Sequence, residues 1–290
     1  MSASEPAPLV ASRRSGSDVP FLSGLIVIAS LYVGLIVAMI AADAAYLVTD
    51  PTGKGDDGIV AGFGRLVRPL AKPEIRYAVK LSLISCAITA ILSVWVAVPL
   101  GYLMSRYEFR GKGIVDAVID VPIVLPPLVV GLSLLILFQT IPGRAIERVF
   151  PVTYAIPAVI LAQFSVACAF AVRTMRVTFD QISPRREQVA RTLGCTRGQA
   201  FWRVVLPEAR GGMVTAATVA WARAMGEFGP ILVFAGATRM RTEVLSTTIF
   251  LELSVGNLEA AVAVSLLMVL AAVLVLVVLR WAGGGQARGW

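Results

Sequence analysis

Residues 186–207 read REQVARTLGCTRGQAFWRVVLP, a basic stretch interrupted by glycine and closed by proline. Its local grammar predicts two short helices. Ser183 can cap the first, with Pro184 at the first helical position, where a missing N–H costs nothing. The helix runs to Leu193, and Gly194 supplies the left-handed residue that ends it. Thr196 and Gln199 have the spacing of a capping box, so a second helix starts there. It runs through Phe201, Trp202, Val204 and Val205, and Pro207 is expected to stop it. Val189 and Leu193, with Ala190 beside them, share one face of the first helix; Arg185, Arg186 and Arg191 lie elsewhere. The stretch therefore predicts a compact amphipathic hairpin with a tight glycine turn.

The chain around it is far from soluble in character. Of 290 residues, 57% are hydrophobic and 15% charged, with a mean hydropathy of +0.80. Ordinary domains carry about 25% charged residues, so the composition points to the membrane. Residues 19–42, 81–105, 121–143, 149–172 and 260–279 contain no Asp, Glu, Lys or Arg, and 211–238 is interrupted only by Arg223 and Glu227. Each is long enough to cross the hydrocarbon layer, which takes about 20 apolar residues. The expectation is an all-α membrane protein of six spans, at about 21–43, 77–105, 118–140, 154–176, 212–236 and 258–281. These form one domain over 21–282, with a disordered segment at 1–20 and a short tail at 283–290. The first apolar run exceeds the roughly 7–15 residues of a signal h-region, so a retained helix is expected there.

Basic residues set the orientation. Eight arginines fall between 173 and 210, and Arg13, Arg14, Arg106, Arg110, Lys112, Arg280 and Arg288 group with them on one side of a six-span arrangement. The positive-inside rule makes that side, and both termini, cytoplasmic. The net charge of +8 is thereby read as loop charge rather than a nucleic-acid footprint. The outer segment 43–80 begins as a linker and turns amphipathic; a short interfacial helix and a solvated connection both fit it.

There is no histidine, the commonest metal ligand and general base, and the three cysteines are scattered. No zinc site, disulfide framework or other metal site is expected, and no catalytic residue or cofactor. No phosphate-cradling GxxxxGK[ST] motif occurs, so the chain is not expected to hydrolyse ATP itself. An intramembrane enzyme lacks its nucleophile–base pairing, and a secondary transporter lacks inverted repeats and paired intramembrane carboxylates. For the hairpin, pattern alone leaves two readings: an anchor on anionic lipid, as in a membrane scaffold, and a docking knob for a cytoplasmic protein.

The hairpin resembles the cytoplasmic loop signature of binding-protein-dependent ABC importer permeases. That pattern is E-A-A, three residues, G, nine residues, then I-x-L-P. Here Gln188-Val189-Ala190 precede Arg191-Thr192-Leu193 and Gly194, and nine residues later come Val204-Val205-Leu206-Pro207. Gln188 and Val189 depart from the pattern, and Glu187 stands one place early. The resemblance implies a permease fold whose loop forms coupling helices that dock on a separate ATP-binding cassette subunit. Gln188, Val189, Ala190, Leu193, Gly194, Phe201, Trp202, Leu206 and Pro207 would carry that contact. It further implies an extracytoplasmic substrate-binding protein and a second permease copy, identical or similar, in the inner membrane.

Residues 221–250 are similar to the fifth-span region of permeases for tetrahedral oxyanions, molybdate permeases above all, with sulfate permeases related. The matching runs are Gly226-Glu227-Phe228-Gly229, Phe234-Ala235-Gly236 and Arg241-Thr242…Leu245, with Pro230 a departure. The stretch 121–138 resembles the same branch, and the likeness covers about 75–280. From the residues themselves, Arg223 and Glu227 share a helix face at mid-span, where charge is costly. A mutual ion pair, a subunit-interface bond and a direct anion contact by Arg223 all fit. Glu227 would repel an anion and serves better to pin Arg223 or a helix end. Pro122, Pro126 and Pro127 are expected to break or kink the third span, which suits a gate and also ordinary packing.

Overall fold

The computed structural model describes residues 19–48, 64, 67, 68 and 71–283. The expectations for 1–18, for half of the 43–80 segment and for 284–290 lie outside them. The described residues are helical, with no strand among them. The helix α1 (Val19–Val48) stands as one unit and the rest of the chain as a second. α1 is apolar on all sides, the pattern of a helix solvated by lipid.

The second unit is built on α2 (Pro73–Arg106), α6 (Ile156–Gln181) and α9 (Arg210–Met225), which pack on one another. Small residues let them approach. Ala216, Ala220 and Ala224 recur every fourth position on α9, and Ala158, Ala162, Ala167 and Ala171 line α6, all fully buried. A Cβ on Gly101 of α2 would lie 2.8 Å from Met175 Cβ of α6. Close backbone approach replaces the hydrophobic driving force that lipid cannot supply. The outward faces are large and apolar, as at Ile91 and Trp95.

Between α2 and α6 run α3 (Lys112–Val124), α4 (Pro127–Gln139) and the amphipathic α5 (Ile141–Val149). The hairpin follows α6, and α10 (Gly229–Phe234), α11 (Leu245–Ser254) and α12 (Leu258–Gly283) complete the chain.

Four of these helices are each long and apolar enough to cross a membrane, over 21–46, 73–106, 156–181 and 258–278. The expected third span is broken. α3 and α4 are bent by 112° at Leu125-Pro126, so the pair counts as a fifth crossing only if taken together. The prolines act there as expected, but Pro122 sits inside α3 without ending it. The expected span 212–236 is not one helix either: α9 ends at Met225 and α10 begins at Gly229. Six continuous spans are therefore not what the described residues form. Hydropathy registers apolar length and is blind to backbone breaks at glycine and proline.

The boundary after the fourth span also shifts. Arg173 and Arg176, expected at the very end of the fourth span and counted with the cytoplasmic charge, lie inside α6, which continues to Gln181. Their charges are matched by α3: Arg173 bonds both Asp116 (3.1 Å) and Asp120, and Arg176 bonds Asp116 at 2.6 Å. Paired charge removes the reason for the helix to stop. α5 and α11 were expected as parts of outer loops. α5 is tied down at its end by Glu147, which accepts from the backbone N–H groups of Val152 and Thr153.

Candidate functional site

The hairpin forms with the expected grammar. The helix α7 (Pro184–Thr192) ends at Gly194, whose φ is +92°. The N–H of Cys195 donates to Ala190 O and that of Gly194 to Arg191 O, both at 3.1 Å. This is the paired bonding of a Schellman turn, which needs a left-handed residue. Ser183 stands at the cap position of α7, but its side chain makes no capping bond. The capping box is complete at α8 (Arg197–Ala200). Gln199 N–H donates to Thr196 Oγ1 at 3.3 Å, and Thr196 N–H to Gln199 Oε1 at 2.9 Å.

Pro207 does not stop the second helix. Phe201–Val205 widens into a π-turn in which Leu206 N–H donates to Phe201 O, and the chain stays helical through Glu208. The wide turn accommodates the proline ring and its missing N–H. The break falls at Ala209 instead, just before α9.

Packing sorts the predicted contact residues into two sets. Gln188, Val189, Leu193 and Trp202 are exposed, Leu193 by 80%. Ala190 is buried, unlike Val189 and Leu193, and so are Ala200 and Val205. Phe201 and Trp202 stay in edge-to-face contact, ring centroids 5.6 Å apart, but Trp202 is the more exposed. Phe201 turns inward, its ring 4.7 Å from Tyr102 and 6.4 Å from Phe179. Trp202, with Leu206, lines an apolar cavity of about 740 Å³ whose far wall is α2 from Ile91 to Leu103. An inward aromatic cluster thus ties the hairpin to the ends of α2 and α6, and Arg186 forms an ion pair with Glu208 across its base. Glu187 also turns inward, accepting from Tyr102 Oη at 3.0 Å.

The second predicted group lies where two helix breaks meet. α10 sits against α4. A Cβ on Gly229 would come 3.0 Å from Pro127 Cβ, and one on Gly131 2.7 Å from Pro230 Cα. Pro127 therefore faces Gly229, at the end of the break at 226–228, across a contact that only glycine permits; among the described residues no such contact places Pro126 there. Ser246 of α11 closes it from a third side, donating to Glu227 O at 2.7 Å.

Arg223 and Glu227 form the i,i+4 pair at this break, Nη2 to Oε1 2.6 Å. The Oε1 atom makes no hydrogen bond, so the contact is an ion pair without hydrogen-bond alignment. Glu227 is 1% exposed, while Arg223 keeps 31% of its side chain open and lies 5.6 Å from the Phe170 ring centroid. The mutual pair is thus present, with the glutamate pinning the arginine.

Sequence reasoning passed over three features. One is the α3–α6 ion-pair network. Another is Gln163, fully buried, which donates to Ala224 O at 3.3 Å and accepts from Thr89 at 3.3 Å. It holds the last turn of α9 just before the break. A third is a polar groove of about 700 Å³ lined by Arg173, Thr174, Thr178, Gln181 and Thr215. The i,i+4 pair Thr174 and Thr178, beside Arg173 and Gln181, was the available signal for it.

With this geometry in hand, the chain can be set beside known proteins. Residues 97–284 match the family described as binding-protein-dependent transport system inner membrane component. The chain belongs to this family. Among its relatives is the sulfate transport system permease protein CysT of Escherichia coli, 32% identical over 210 residues, covering 71% of this chain and 76% of that one. The molybdate/tungstate transport system permease protein WtpB of Thermococcus kodakarensis is 33% identical over 219 residues, 76% of this chain and 83% of the relative. The molybdenum transport system permease protein ModB of Mycobacterium tuberculosis is 35% identical over 209 residues, 71% and 79%. Among solved structures, a bacterial ABC transporter involved in alginate import superposes with a TM-score of 0.71 at 16% identity, covering 93% of this chain and 97% of that one. At that identity the likeness concerns the fold alone.

Proposed function

We propose that this chain is the permease subunit of a binding-protein-dependent ABC importer that passes a tetrahedral oxyanion, molybdate first, into the cytoplasm. Sulfate or thiosulfate and tungstate are the competing cargoes, and the sulfate permease among its relatives keeps that second reading in play. A separate ATPase binds and hydrolyses ATP and docks on the 184–207 hairpin. An extracytoplasmic binding protein delivers the anion, and a second permease copy completes the path. Both termini face the cytoplasm, and the two broken helices each count as one crossing in a six-span arrangement.

The observation that supports this reading most is the hairpin itself. It carries the loop pattern that the sequence resembles, its turn and second helix are capped, and it leaves Gln188, Val189 and Leu193 open to a partner. A force applied there meets packed side chains. Phe201 bears on Tyr102 of α2 and Phe179 of α6, and the chain continues into α9 and the break at 226–228. Beyond the break, α10 lies against Pro127. An ATPase that selects between two hairpin positions can bias two positions of this broken-helix contact. Arg223 keeps an open face beside the break, where it can attract an anion while Glu227 holds its other side.

The test is uptake of labelled molybdate and sulfate in a strain lacking the chain and in the same strain with it restored. The reading expects molybdate accumulation to depend on the chain. Equal molybdate accumulation in both strains rules molybdate out, and a deficit in sulfate alone shifts the cargo to sulfate. Separately, Gly194→Pro is expected to abolish co-purification of the ATPase with the tagged chain; a chain that purifies without any ATPase argues for a membrane scaffold.

A further inference from the structure

At the root of the hairpin lies a polar cavity that docking does not explain. It holds about 140 Å³ and is walled by Tyr102 and Arg106 from α2, by Tyr107 just beyond it, and by Glu187, Arg191 and Arg197 from the hairpin. Three guanidinium groups thus face one carboxylate. Among the described residues, none of the three arginines forms an ion pair. Arg106 Nη2 donates to Ile182 O at 2.6 Å, but its Nε is buried without a partner. Arg197 leans on Tyr107, Nη1 to Oη 3.0 Å, with its guanidinium 5.4 Å from the ring centroid. Glu187 is engaged by a neutral donor, Tyr102 Oη, rather than by an arginine.

This arrangement carries two costs. Like charges are gathered in a small space, and a buried N–H goes unanswered. One anion removes both. Guanidinium forks match tetrahedral oxyanions in geometry as well as charge, and the volume holds one such ion with a few waters. We infer that the notch formed by Arg106, Arg191 and Arg197 is a binding site for a compact phosphate-like oxyanion, distinct from the path at Arg223. Arg106 is the last residue of an apolar helix, so the site lies at the level where a span meets headgroups. The anion can therefore come from a lipid headgroup or from solution, with the same chemistry. The inference does not depend on the docking role proposed for the hairpin.

Substitutions of the arginines and of the glutamate act in opposite directions, which separates binding from damage to the fold. The full-length chain, in nanodiscs of neutral phosphatidylcholine, is titrated calorimetrically with inorganic phosphate, sulfate or molybdate at constant ionic strength. Saturable binding is expected. Arg106→Gln or Arg191→Gln weakens it about five- to tenfold, and Glu187→Gln, which keeps an acceptor for Tyr102 but removes the repelling charge, tightens it about threefold. Adding phosphatidylglycerol to the discs distinguishes the sources. If headgroups fill the notch, the soluble anion is competed off, and Arg106→Gln protein retains less anionic lipid through purification. If solution supplies the anion, the lipid has no effect. Either outcome supports the site. Binding that is unchanged in all three variants but lost with Arg223→Gln overturns it. So does tighter binding on loss of Arg106, or the absence of both saturable binding and retained anionic lipid. ATPase co-purification, measured on the same preparations, reports separately on the docking role.

Discussion

Replacing Gly131 by alanine tests the meeting of the two helix breaks. A Cβ at this position would lie 2.7 Å from Pro230 Cα, 2.9 Å from Pro230 O and 3.1 Å from Val233 Cβ. Ordinary carbon contacts begin near 3.5 Å, so α4 and α10 must part by about 0.8 Å. Neither neighbour can yield cheaply, because the closest atoms are backbone. α10 is also held at Gly229 against Pro127 and by the Phe138–Phe234 ring contact at 5.3 Å. Overpacking of this kind costs about 2–3 kcal/mol. In a chain this long that is a fall of roughly 4–10 °C in melting temperature. Gly226→Ala is the matched control: its nearest atom is Arg223 O at 3.8 Å, and its backbone is right-handed. It should be neutral or slightly stabilising, by up to about 1 kcal/mol. Thermal unfolding of both variants in the same detergent decides the matter. A Gly131→Ala protein that melts with the wild type, or a Gly226→Ala protein that loses as much stability, refutes the packing of α10 on α4.

Other expectations follow from the same geometry. A double-mutant cycle on Arg173 and Asp120, both about one-third exposed, should give a coupling of about 1 kcal/mol in melting experiments; zero coupling means that α3 is not pinned to α6. Gln163→Leu should cost about 1–3 kcal/mol, because Ala224 O and Thr89 Oγ1 lose a buried partner; a neutral result contradicts its hold on α9. Between α10 and α11, Glu243 is 1% exposed. Burial pushes its carboxyl above the ordinary value; Thr248 and Arg239 pull it down, while Glu252 and Glu74 push it up. A raised carboxyl stabilises the fold when protonated. That contribution is full below the unfolded value, near pH 4, and is lost as pH rises through the folded value. Stability should therefore increase on acidification from neutral pH, and Glu243→Gln should flatten that slope; parallel pH profiles for wild type and variant would contradict it.

The parts of this fold legible in the sequence are those fixed by local chemistry. Gly194 and the Thr196–Gln199 box are short-range signals, and they appear where expected because a left-handed turn and a capped N-terminus depend on few residues. The apolar windows located α1, α2, α6 and α12 closely. What escaped depends on partners distant in the chain. The fourth span was expected to stop at Arg176 because Asp116 and Asp120, over fifty residues earlier, are invisible to a charge count. The break after Met225 was carried by Gly226, Gly229 and Pro230, yet an apolar window absorbs them. α5 carried its own signal, with Ile141, Ile146 and Val149 outwardly alternating with Arg144, Glu147 and Arg148, but its nine residues are too short for a window tuned to spans. At the hairpin, pattern grouped Phe201 with Trp202; only packing shows that both line an apolar groove while Phe201 also reaches the Tyr102 and Phe179 rings.

The central claim is that the hairpin is the cytoplasmic seat of a separate ATPase. It is tested most directly by placing one cysteine at Leu193, 80% exposed at the tip, after replacing Cys86, Cys168 and Cys195. A membrane-impermeant maleimide should label it in inverted vesicles, not in intact cells, and the purified ATPase should protect it. Labelling from outside intact cells, or labelling in inverted vesicles that the ATPase leaves unchanged, would contradict the account.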